Sequence, residues 1–566
     1  MKQSTMALPV LALLILGILG LWHALGLPLP GLYGVCSGAA ADAAANAPHG
    51  AVRDAGADMA NATSEQATLN CRLGMTAWEP ALSAVDPSQW GAGWFLTFGA
   101  DGTSNPTMEF MRMVRTFQDK YWDGDEWVFS DTVTFTPPLT DAPGGLGPIV
   151  RAHPGAWWAI GNEPDRGPNW EWSWWPGQDG AFPEVYAQAY YSVYHFIKER
   201  DPSARVGPGG LVEVTPGRLQ YLDLVWQAYL QRYGTSLPAD FWTMHLYILP
   251  EAYPDGTPNG TANVALGTDP TLAYRESGGN PDLCHNPSNQ VYCWADHDDL
   301  TLFDQQVRWM RRWLADHGYR DLPLWLTEYG ILYPFEDYDD PENPTRCYLQ
   351  DEFGGCFTPR RVTHWLTQTL EYLTTAYDPL LGNPSDGNRL VQRTAWYCLY
   401  TPYVGYVSNL VTGTNTFTMT RVGWAYRDFL KDYSIAMNLW ARYAPPAAVW
   451  PDPSGVATAT IGLAMANNGD TGLPFPIMVF WYRDAAHTQP IASRQVTDLP
   501  GCDGRLSLTA TWVLSGAGVH PYWAVIDPAN QLPEWNEADN VAIGYVLVAP
   551  RQQFLPLVMR GTRLEP

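Results

Sequence analysis

Two carboxylates follow two strand-like apolar runs, and these acids suggest what chemistry the chain performs. Residues 157–165 read WWAIGNEPD, and residues 322–330 read LPLWLTEYG. Each apolar run is typical of a buried strand, and each ends at an acid, Glu163 in the first and Glu328 in the second. Paired carboxylates can divide proton donation and nucleophilic attack between them. The two motifs therefore indicate paired-carboxylate chemistry at the ends of two strands.

Glycoside cleavage is one reaction that needs such a pair. One carboxylic acid protonates the leaving oxygen, and a second carboxylate acts on the other side of the anomeric carbon; a separation of about 5 Å lets the second acid attack directly and retain configuration. A helix-capping or salt-bridged surface Glu is the alternative interpretation of either motif alone. The same design at Glu163 and Glu328 favours the catalytic interpretation.

An alternation of strand and helix patterns surrounds the two acids and predicts how they are positioned. The apolar spacing predicts helices within residues 185–197, 219–233, 300–314 and 362–373, and strands at 93–99, 109–115, 133–137, 204–210, 241–247 and 393–400. Repeated strand–helix units with acids at carboxyl strand ends predict an α/β fold, a (β/α)₈ TIM barrel. A doubly wound open sheet is the alternative, and no glycine-rich phosphate-binding turn follows the first predicted strand to support it.

The pattern of the chain changes near residue 443. Short alternating strands separated by turns then predict a small all-β immunoglobulin-like sandwich. The expected organisation is a signal peptide or membrane anchor at 1–47, a flexible linker at 48–70, the barrel at 71–445, the sandwich at 446–550 and a C-terminal tail at 551–566. Residues 251–299, rich in Pro, Gly, Asn and Asp, form a long insertion that we expect to be a lid or cleft wall.

Composition restricts the class of partner. The net charge of −25 and the pI near 4.7 argue against nucleic acid and anionic membrane surfaces. The 27 Trp and 30 Tyr residues supply flat rings with polar tips, which suit a carbohydrate partner. No cofactor is expected. The acidic run at 336–342 has oxygen ligands that suit calcium, but it lacks a recognised ligand spacing, so we expect a solvated loop and no metal.

The N-terminus predicts export. Lys2 precedes an apolar run at residues 7–27 and a small-residue stretch, as in a signal peptide; the run is also long enough for an uncleaved membrane anchor, the only membrane contact that we expect. The protein is thus expected to be extracellular or at the cell surface, where cysteines form disulfides. The expected pairs are Cys284 with Cys293 and Cys347 with Cys356, and Cys71, Cys398 and Cys502 remain unassigned.

Three motifs in order resemble a known group of enzymes. They are GNEPD at 161–165, HLY at 245–247 and WLTEYG at 325–330. Together they resemble the retaining barrel hydrolases of glycoside hydrolase clan A, and within the clan the glycosyl hydrolase catalytic-core family that includes β-1,3-glucanases. Residues 93–99, GWFLTFG, are similar to the first strand of that family, although Phe95 and Leu96 stand where it tends to carry paired tyrosines.

The resemblance implies roles for individual residues. Glu163 would be the acid/base, Glu328 the nucleophile, and Asn162 the partner of the sugar hydroxyl next to the anomeric carbon. His245 and Tyr247 lie two apart on a strand and so share a face, where Tyr247 would bind the nucleophile and His245 would line the cleft; for His245 a core position is an equal alternative.

Aromatic residues supply the remaining candidates for substrate binding. Trp396, near the end of the last strand, is a candidate platform for a sugar ring, and core packing is its alternative. Trp170 and Trp172 follow the acid motif and would form a wall on the leaving-group side, or else a loop packed on its own side chains. Arg112 or Arg115 would lower the pKa of Glu328.

The sandwich has a resemblance of its own. ANNGD at 466–470 and the stretch at 522–540 resemble the bacterial cell-adhesion-related domain, CARDB. The sequence therefore predicts an exported retaining glycoside hydrolase that acts on a polysaccharide or oligosaccharide, a β-glucan being one candidate. The alternative is a catalytically inactive cell-surface protein that binds glycan or mediates adhesion. Neither the sugar nor the oligomeric state follows from the sequence.

Overall fold

The computed structural model describes residues 68–101, 105, 107–168, 178–332, 350–402, 405–414 and 416–549. The predicted signal or anchor and the C-terminal tail lie outside these ranges. Among the described residues, no helix is both long and apolar enough to cross a membrane.

Strands and helices alternate in the first four-fifths of the described chain. The strands are β1 (Asn70–Thr76), β2 (Ala92–Leu96), β3 (Glu109–Trp122), β4 (Trp127–Thr136), β5 (Trp157–Ile160), β6 (Arg205–Pro208), β7 (Trp242–Leu246), β8 (Arg275–Glu276), β9 (Val291–Tyr292), β10 (Leu324–Tyr329), β11 (Arg393–Trp396), β12 (Val411–Gly413) and β13 (Phe417–Met419). The helices are α1 (Ala81–Val85), α2 (Leu146–Ala152), α3 (Pro183–Arg200), α4 (Pro216–Tyr233), α5 (Leu300–Asp316), α6 (Pro359–Thr375) and α7 (Arg421–Asp432).

Eight of these strands form one parallel sheet in the order β6-β5-β3-β2-β1-β11-β10-β7. Its two edge strands, β6 and β7, are joined by hydrogen bonds that do not form a regular ladder. The Thr243 hydroxyl donates to the Pro208 carbonyl at 2.6 Å, and the Asp240 amide donates to the Val206 carbonyl at 2.9 Å. The sheet is therefore a nearly closed barrel surrounded by helices, a TIM-barrel-like fold, as the sequence predicts.

Several strand predictions need correction. The barrel begins one strand earlier than expected, with β1, so residues 93–99 contribute its second strand and not its first. Residues 133–137 do not form a barrel strand, because β4 pairs antiparallel with the extended end of β3 as a hairpin outside the barrel order. The predicted helices coincide with α3 to α6, and the remaining predicted strands coincide with β3, β5, β6, β7, β10 and β11.

Large aromatic side chains fill the barrel interior. Trp157 lies 4.5 Å from Trp325 and 5.1 Å from Phe241 between ring centroids, and Trp94 lies 5.1 Å from Trp325. The Arg393 guanidinium stacks over Trp325 at 4.3 Å. Interdigitated rings leave the barrel a packed core and not a pore, so a ligand is confined to the carboxyl end of the strands.

The last part of the described chain forms two sheets. The strands are β14 (Leu439–Tyr443), β15 (Ala447–Val449), β16 (Val456–Asn467), β17 (Ile477–Tyr482), β18 (Pro490–Val496), β19 (Gly504–Ser515), β20 (Gly518–Ile526) and β21 (Val541–Val548). They pair as β14-β16-β19 and as β15-β21-β20-β17-β18. Ile461, Val479 and Trp481 belong to one buried cluster that both sheets share, so the sheets pack face to face as a sandwich.

A disulfide and buried ion pairs join the sandwich to the amino end of the barrel. Cys71, at the start of β1, is bonded to Cys502 across 431 residues of sequence. The Arg72 guanidinium donates twice to Asp386 at 2.8 Å and pairs with Asp470 of the sandwich. Arg72 and Asp470 are 3% and 0% exposed. The two units are thus fixed to each other by a covalent bond and by charge.

The sequence leaves Cys71 and Cys502 unassigned, and the two cysteine pairs that it predicts have different outcomes. The Cys284–Cys293 disulfide is present and closes a loop in the 251–299 insertion, next to the short parallel pair β8–β9. Cys347 lies outside the described residues, so its pairing with Cys356 stays a prediction. Cys398 is buried and its thiol lies 3.6 Å from the Asn409 side-chain oxygen.

Candidate active site

Glu163 is held on a tight turn immediately after β5. Gly161 and Glu163 both have positive φ angles, 83° and 49°, and the second is uncommon for a residue that carries a side chain. The Glu163 amide donates to the Gly210 carbonyl at 3.0 Å. A Cβ at Gly209 would lie 2.1 Å from the Gly161 carbonyl oxygen, so the PGG turn after β6 lets the acid-bearing turn approach closely.

A β-bulge aims Glu328. In β10 the pairing with β7 shifts between Leu326 and Glu328, which leaves Thr327 as the extra residue and brings Glu328 opposite His245. Trp325 faces the barrel interior, and without the shift alternation would turn Glu328 away from it. The bulge therefore turns Glu328 toward the barrel interior, opposite His245 of β7.

The two carboxylates converge on one imidazole. His245 Nδ1 lies 3.2 Å from Glu163 Oε1, and His245 Nε2 lies 3.4 Å from Glu328 Oε1. A carboxylate oxygen of each acid and a ring nitrogen of His245 all lie within 4.8 Å of one another. The Tyr247 hydroxyl donates to Glu328 Oε2 at 3.2 Å. The structure thus brings together four of the residues singled out from the sequence, all of them buried.

Charges around the pair separate the pKa values of its members. Burial raises the pKa of Glu163, but Arg166, 3.1 Å away, and His245 outweigh burial and lower it to about 2. Burial raises the pKa of Glu328 to about 7, with His245 opposing the rise and the charge of Glu163 adding to it. Burial lowers the pKa of His245, and the two carboxylates raise it above its ordinary value. The pKa of Glu163 therefore lies below that of Glu328, and over the pH range between the two values the carboxylate pair holds one proton.

Asp179 organises the turn that carries the acid, and sequence reasoning missed it. Its carboxylate accepts from Arg115 Nε at 2.8 Å, from the Thr116 amide at 2.9 Å and from the Asn162 amide at 3.0 Å. Arg115, and not Arg112, is the arginine whose charge lowers the pKa of Glu328, and Arg112 instead donates to a backbone carbonyl. Among the described residues none donates to Asn162 Oδ1, which is buried beside Glu163.

The structure does not bring Trp396 to the acids. Its ring is fully buried, lies 5.1 Å from Tyr329 and donates through Nε1 to the Ser408 carbonyl, so it packs outside the barrel strands. The next residue, Tyr397, is half-buried and packs beside Tyr247. Because Ala395 faces the interior, strand alternation identifies Tyr397 as the residue that reaches the site.

Further aromatic rings extend the surface beside Tyr397. Trp78 lies 6.0 Å from Tyr397 and 5.3 Å from Phe98 between centroids, and both of these neighbours are half-buried. These rings come from the carboxyl ends of β1, β2 and β11. The predicted Trp170 and Trp172 wall lies outside the described residues and stays a prediction.

A second cluster of buried carboxylates contacts the turn that carries Glu163. Arg218, on α4, pairs with Asp165, lies 3.0 Å from Glu251 and 3.8 Å from Glu213, and all four side chains are at most 1% exposed. Burial, together with Glu251, raises the pKa of Glu213 well above its ordinary value. This Arg218 cluster ties the acid turn to the start of the 251–299 insertion, so Asp165 has a structural role.

Three groups of described residues have side-chain atoms close enough together to share a metal ion. Glu163, His245 and Glu328 form one of them, and in that group each carboxylate already contacts a ring nitrogen of His245. The other two groups are Cys284, Cys293 and Glu352, whose cysteines are disulfide-bonded, and His285, Asp296 and Asp299. The acidic run at 336–342 lies outside the described residues.

Among known proteins, the chain is similar to several solved structures. No family model matches the chain, and no curated protein matches it. The chain is similar to a family 51 α-L-arabinofuranosidase from Bifidobacterium longum, with 11% identity over 80% of this chain and 97% of that one and a TM-score of 0.33. It is also similar to a family 44 xyloglucanase from Paenibacillus polymyxa, with 12% identity over 75% and 81% of the two chains and a TM-score of 0.28.

A smaller part of the chain has a different likeness. A CARDB domain from Pyrococcus furiosus covers 20% of this chain and 93% of its own length, with 22% identity and a TM-score of 0.16. All these scores and identities are low, so the case for a function rests on the geometry of the site.

Proposed function

We propose that this protein is a retaining glycoside hydrolase whose active site is the Glu163–Glu328 pair. The observation that carries the proposal is the separation of the two carboxylates, which place one oxygen each within 4.8 Å of the other at the carboxyl end of a barrel. Retaining enzymes hold their two carboxyl groups about 5 Å apart, whereas inverting enzymes leave additional room for a water molecule. The short separation supports double displacement.

The surroundings of each acid support an assignment of roles. Tyr247 donates to Glu328 Oε2, which positions that carboxylate for attack on the anomeric carbon and steadies its negative charge. Glu163 would protonate the leaving oxygen and later deprotonate the water that hydrolyses the glycosyl-enzyme intermediate. Asn162 Oδ1, a buried acceptor beside the acid, would accept a hydrogen bond from the adjacent sugar hydroxyl.

The proton shared by the pair must be on Glu163 when the bond breaks. In the substrate-free site the pKa order favours Glu328 as its carrier. His245 contacts both carboxylates and offers the route by which the proton changes sides. The pair can therefore react from the form in which Glu163 is protonated and Glu328 ionised, and the pH dependence would be that of the pair as a whole.

The setting of the site supports an extracellular polysaccharide or oligosaccharide as substrate. Two disulfides are present among the described residues, as expected outside the cell. The rings of Trp78, Phe98 and Tyr397 supply apolar faces at the end of the barrel that carries the acids, and such faces pack against the C–H faces of sugars. The sandwich would be an immunoglobulin-like, CARDB-type accessory domain.

The test is a panel of β-glucans, xylans, mannans and aryl glycosides incubated with purified protein and with Glu328→Gln. Release of reducing ends by the wild type, reduced by about 10⁴-fold or more in the variant, is the expected result. NMR of the first product should show a retained anomer. An inverted product would contradict the nucleophile assignment. Absence of any product together with retained glycan binding would favour the inactive surface-protein alternative.

A further inference from the structure

One outer face of the sandwich is apolar where such a face is normally polar. Along β21 the burial alternates strictly, with Ala542, Gly544, Val546 and Val548 facing the core. The outward positions are Val541, Ile543, Tyr545 and Leu547, which are 37–50% exposed. A strand with apolar residues on both faces is typical of one that is covered on both sides.

The neighbouring strand continues this surface. Val519 pairs with Leu547, and Trp523 pairs with Ile543, in the antiparallel ladder between β20 and β21. Val519 is 62% exposed, and Trp523 is half-buried. We call these six residues, Val519, Trp523, Val541, Ile543, Tyr545 and Leu547, the apolar sheet face.

The other sheet of the same sandwich shows what an uncovered face looks like here. Its outward positions on β16 and β19 are mostly polar: Thr458, Thr460, Ser507, Thr509 and Thr511 are exposed there, beside two exposed valines, Val456 and Val513. The two sheets pack on the same core, and the outer faces of both are open to solvent. The apolar outer face of one sheet is therefore a property of that sheet and not of the whole domain. An exposed apolar surface of this kind marks a place where something docks.

We propose that the C-terminal tail of this chain, residues 551–566, covers the apolar sheet face through its segment FLPLVM at 554–559. The tail follows β21 closely in the sequence. The last described residue, Ala549, is held at the sheet by a hydrogen bond that its amide donates to the Val449 carbonyl at 2.9 Å. The chain therefore leaves the sandwich at the Leu547 end of the very face that lacks a cover.

Length and chemistry both fit this occupant. Four residues lie between Ala549 and Phe554, and these five steps of the chain reach about 16 Å, whereas two strand spacings across the sheet amount to about 10 Å. The segment FLPLVM has no charged side chain and none that forms hydrogen bonds, apart from the weak acceptor sulfur of Met559. Its aliphatic and aromatic residues match the valine, leucine, isoleucine and tyrosine side chains of the face. Two polar glutamines precede it and Arg560 follows it, which limits the apolar contact to about six residues.

The experiment is hydroxyl-radical labelling of the full chain, read by mass spectrometry at Tyr545 and Trp523. The variant Leu555→Asp with Leu557→Asp puts charge into the segment without touching the sandwich, and Arg563→Ser, outside the segment, is the matched control. We expect labelling of Tyr545 to rise several-fold in the double variant and to stay at the wild-type level in the control. Tyr121, on the β3–β4 hairpin and 60% exposed, should be labelled equally in all three.

Other occupants give different results. Equal labelling of Tyr545 in the wild type and the double variant would overturn the proposal. Protection that appears only as the protein concentration rises would assign the face to a second copy. Protection that appears only with phosphatidylglycerol vesicles would assign it to a membrane surface, and both of these outcomes contradict docking of the tail.

Discussion

The two ends of the barrel both bury ionised side chains, but they balance the charges differently. At the amino end, Asp386 and Asp470 face two guanidinium groups, those of Arg72 and Arg389, at distances up to 3.7 Å. At the carboxyl end, the Arg218 cluster sets three carboxylates around one guanidinium. The Glu163–Glu328 pair adds two more carboxylates beside His245.

The difference separates two uses of buried charge. Where each carboxylate has its own cation, the ion pairs hold two units in one geometry. Where carboxylates outnumber cations, burial and mutual repulsion push pKa values apart and leave protons bound near neutral pH. A group that can gain and lose a proton is useful for catalysis, and the carboxyl end is where the structure provides it.

The largest expected effect comes from removing the acid at the carboxyl end. Glu163→Gln should lower kcat by about 10²–10⁴-fold on glycosides with poor leaving groups, which need protonation. Activated aryl glycosides should lose much less in the first step, because their leaving groups depart without a proton. Steady-state kinetics on a matched series of leaving groups measures this split. Equal losses throughout the series would argue against the acid role.

Removing the central cation at the amino end should affect stability instead of chemistry. Arg72→Met leaves Asp386 and Asp470 short of a partner in a buried site, which costs about 3–5 kcal/mol of unfolding free energy. The specific activity of the folded fraction should not change. Denaturant unfolding and active-site titration provide the two readings, and the control is Arg427→Met, at a half-buried arginine on α7 that pairs with its chain neighbour Asp428. A loss of kcat in Arg72→Met would contradict the conclusion that buried charge at the amino end acts on stability alone.

The covalent bond at the same end should contribute a smaller amount. Cys71→Ser with Cys502→Ser removes the bridge and should lower the unfolding free energy by about 2–4 kcal/mol. The buried ion pairs of Arg72 remain in this variant, so the sandwich should stay docked. Thermal unfolding should still show one transition. Two separate transitions would mean that the disulfide, and not the charge cluster, joins the two units.

The smallest effect is a shift of the pH profile. Arg166 lies 3.1 Å from Glu163 and lowers the pKa of that carboxyl. Arg166→Met removes a cation from the pair, which favours its protonated forms, so the alkaline limb of kcat/KM should move upward by about one pH unit or more. Arg166→Lys keeps the charge and should leave the limb near its wild-type position. An unchanged limb in Arg166→Met would show that the arginine does not act on the pair.

Regular patterns make the barrel and its site predictable. The helices α3 to α6 present apolar residues at helical spacing, and the runs that end in Glu163 and Glu328 present buried strands followed by acids. Strand alternation places His245 and Tyr247 on one face, which brings both to the site. The acid pair and its two neighbours can therefore be identified from the order of residues along the chain.

Other features depend on contacts that sequence spacing does not reveal. Strand β1, NCRLGMT, begins with polar residues because the Asn70 side chain accepts from the Arg72 amide of the same strand and the Arg72 guanidinium binds Asp386 of another element. The Cys71–Cys502 pair joins residues that no local pattern links. Ring size favours Trp396 over Tyr397 as a sugar platform, although alternation from the interior Ala395 favours Tyr397. Asp179 binds the acid turn from a loop without any signal of its own.

The position of the Cys71–Cys502 bond also decides how the molecule would carry a mechanical load. A pull between the segment before Cys71 and the segment after the sandwich enters the described fold at the first residues of β1 and crosses the disulfide directly into Cys502. The barrel, which lies in the covalent loop between these two cysteines, is bypassed by that force. A chain held at a surface by one end and drawn by its other end would keep its barrel unstretched.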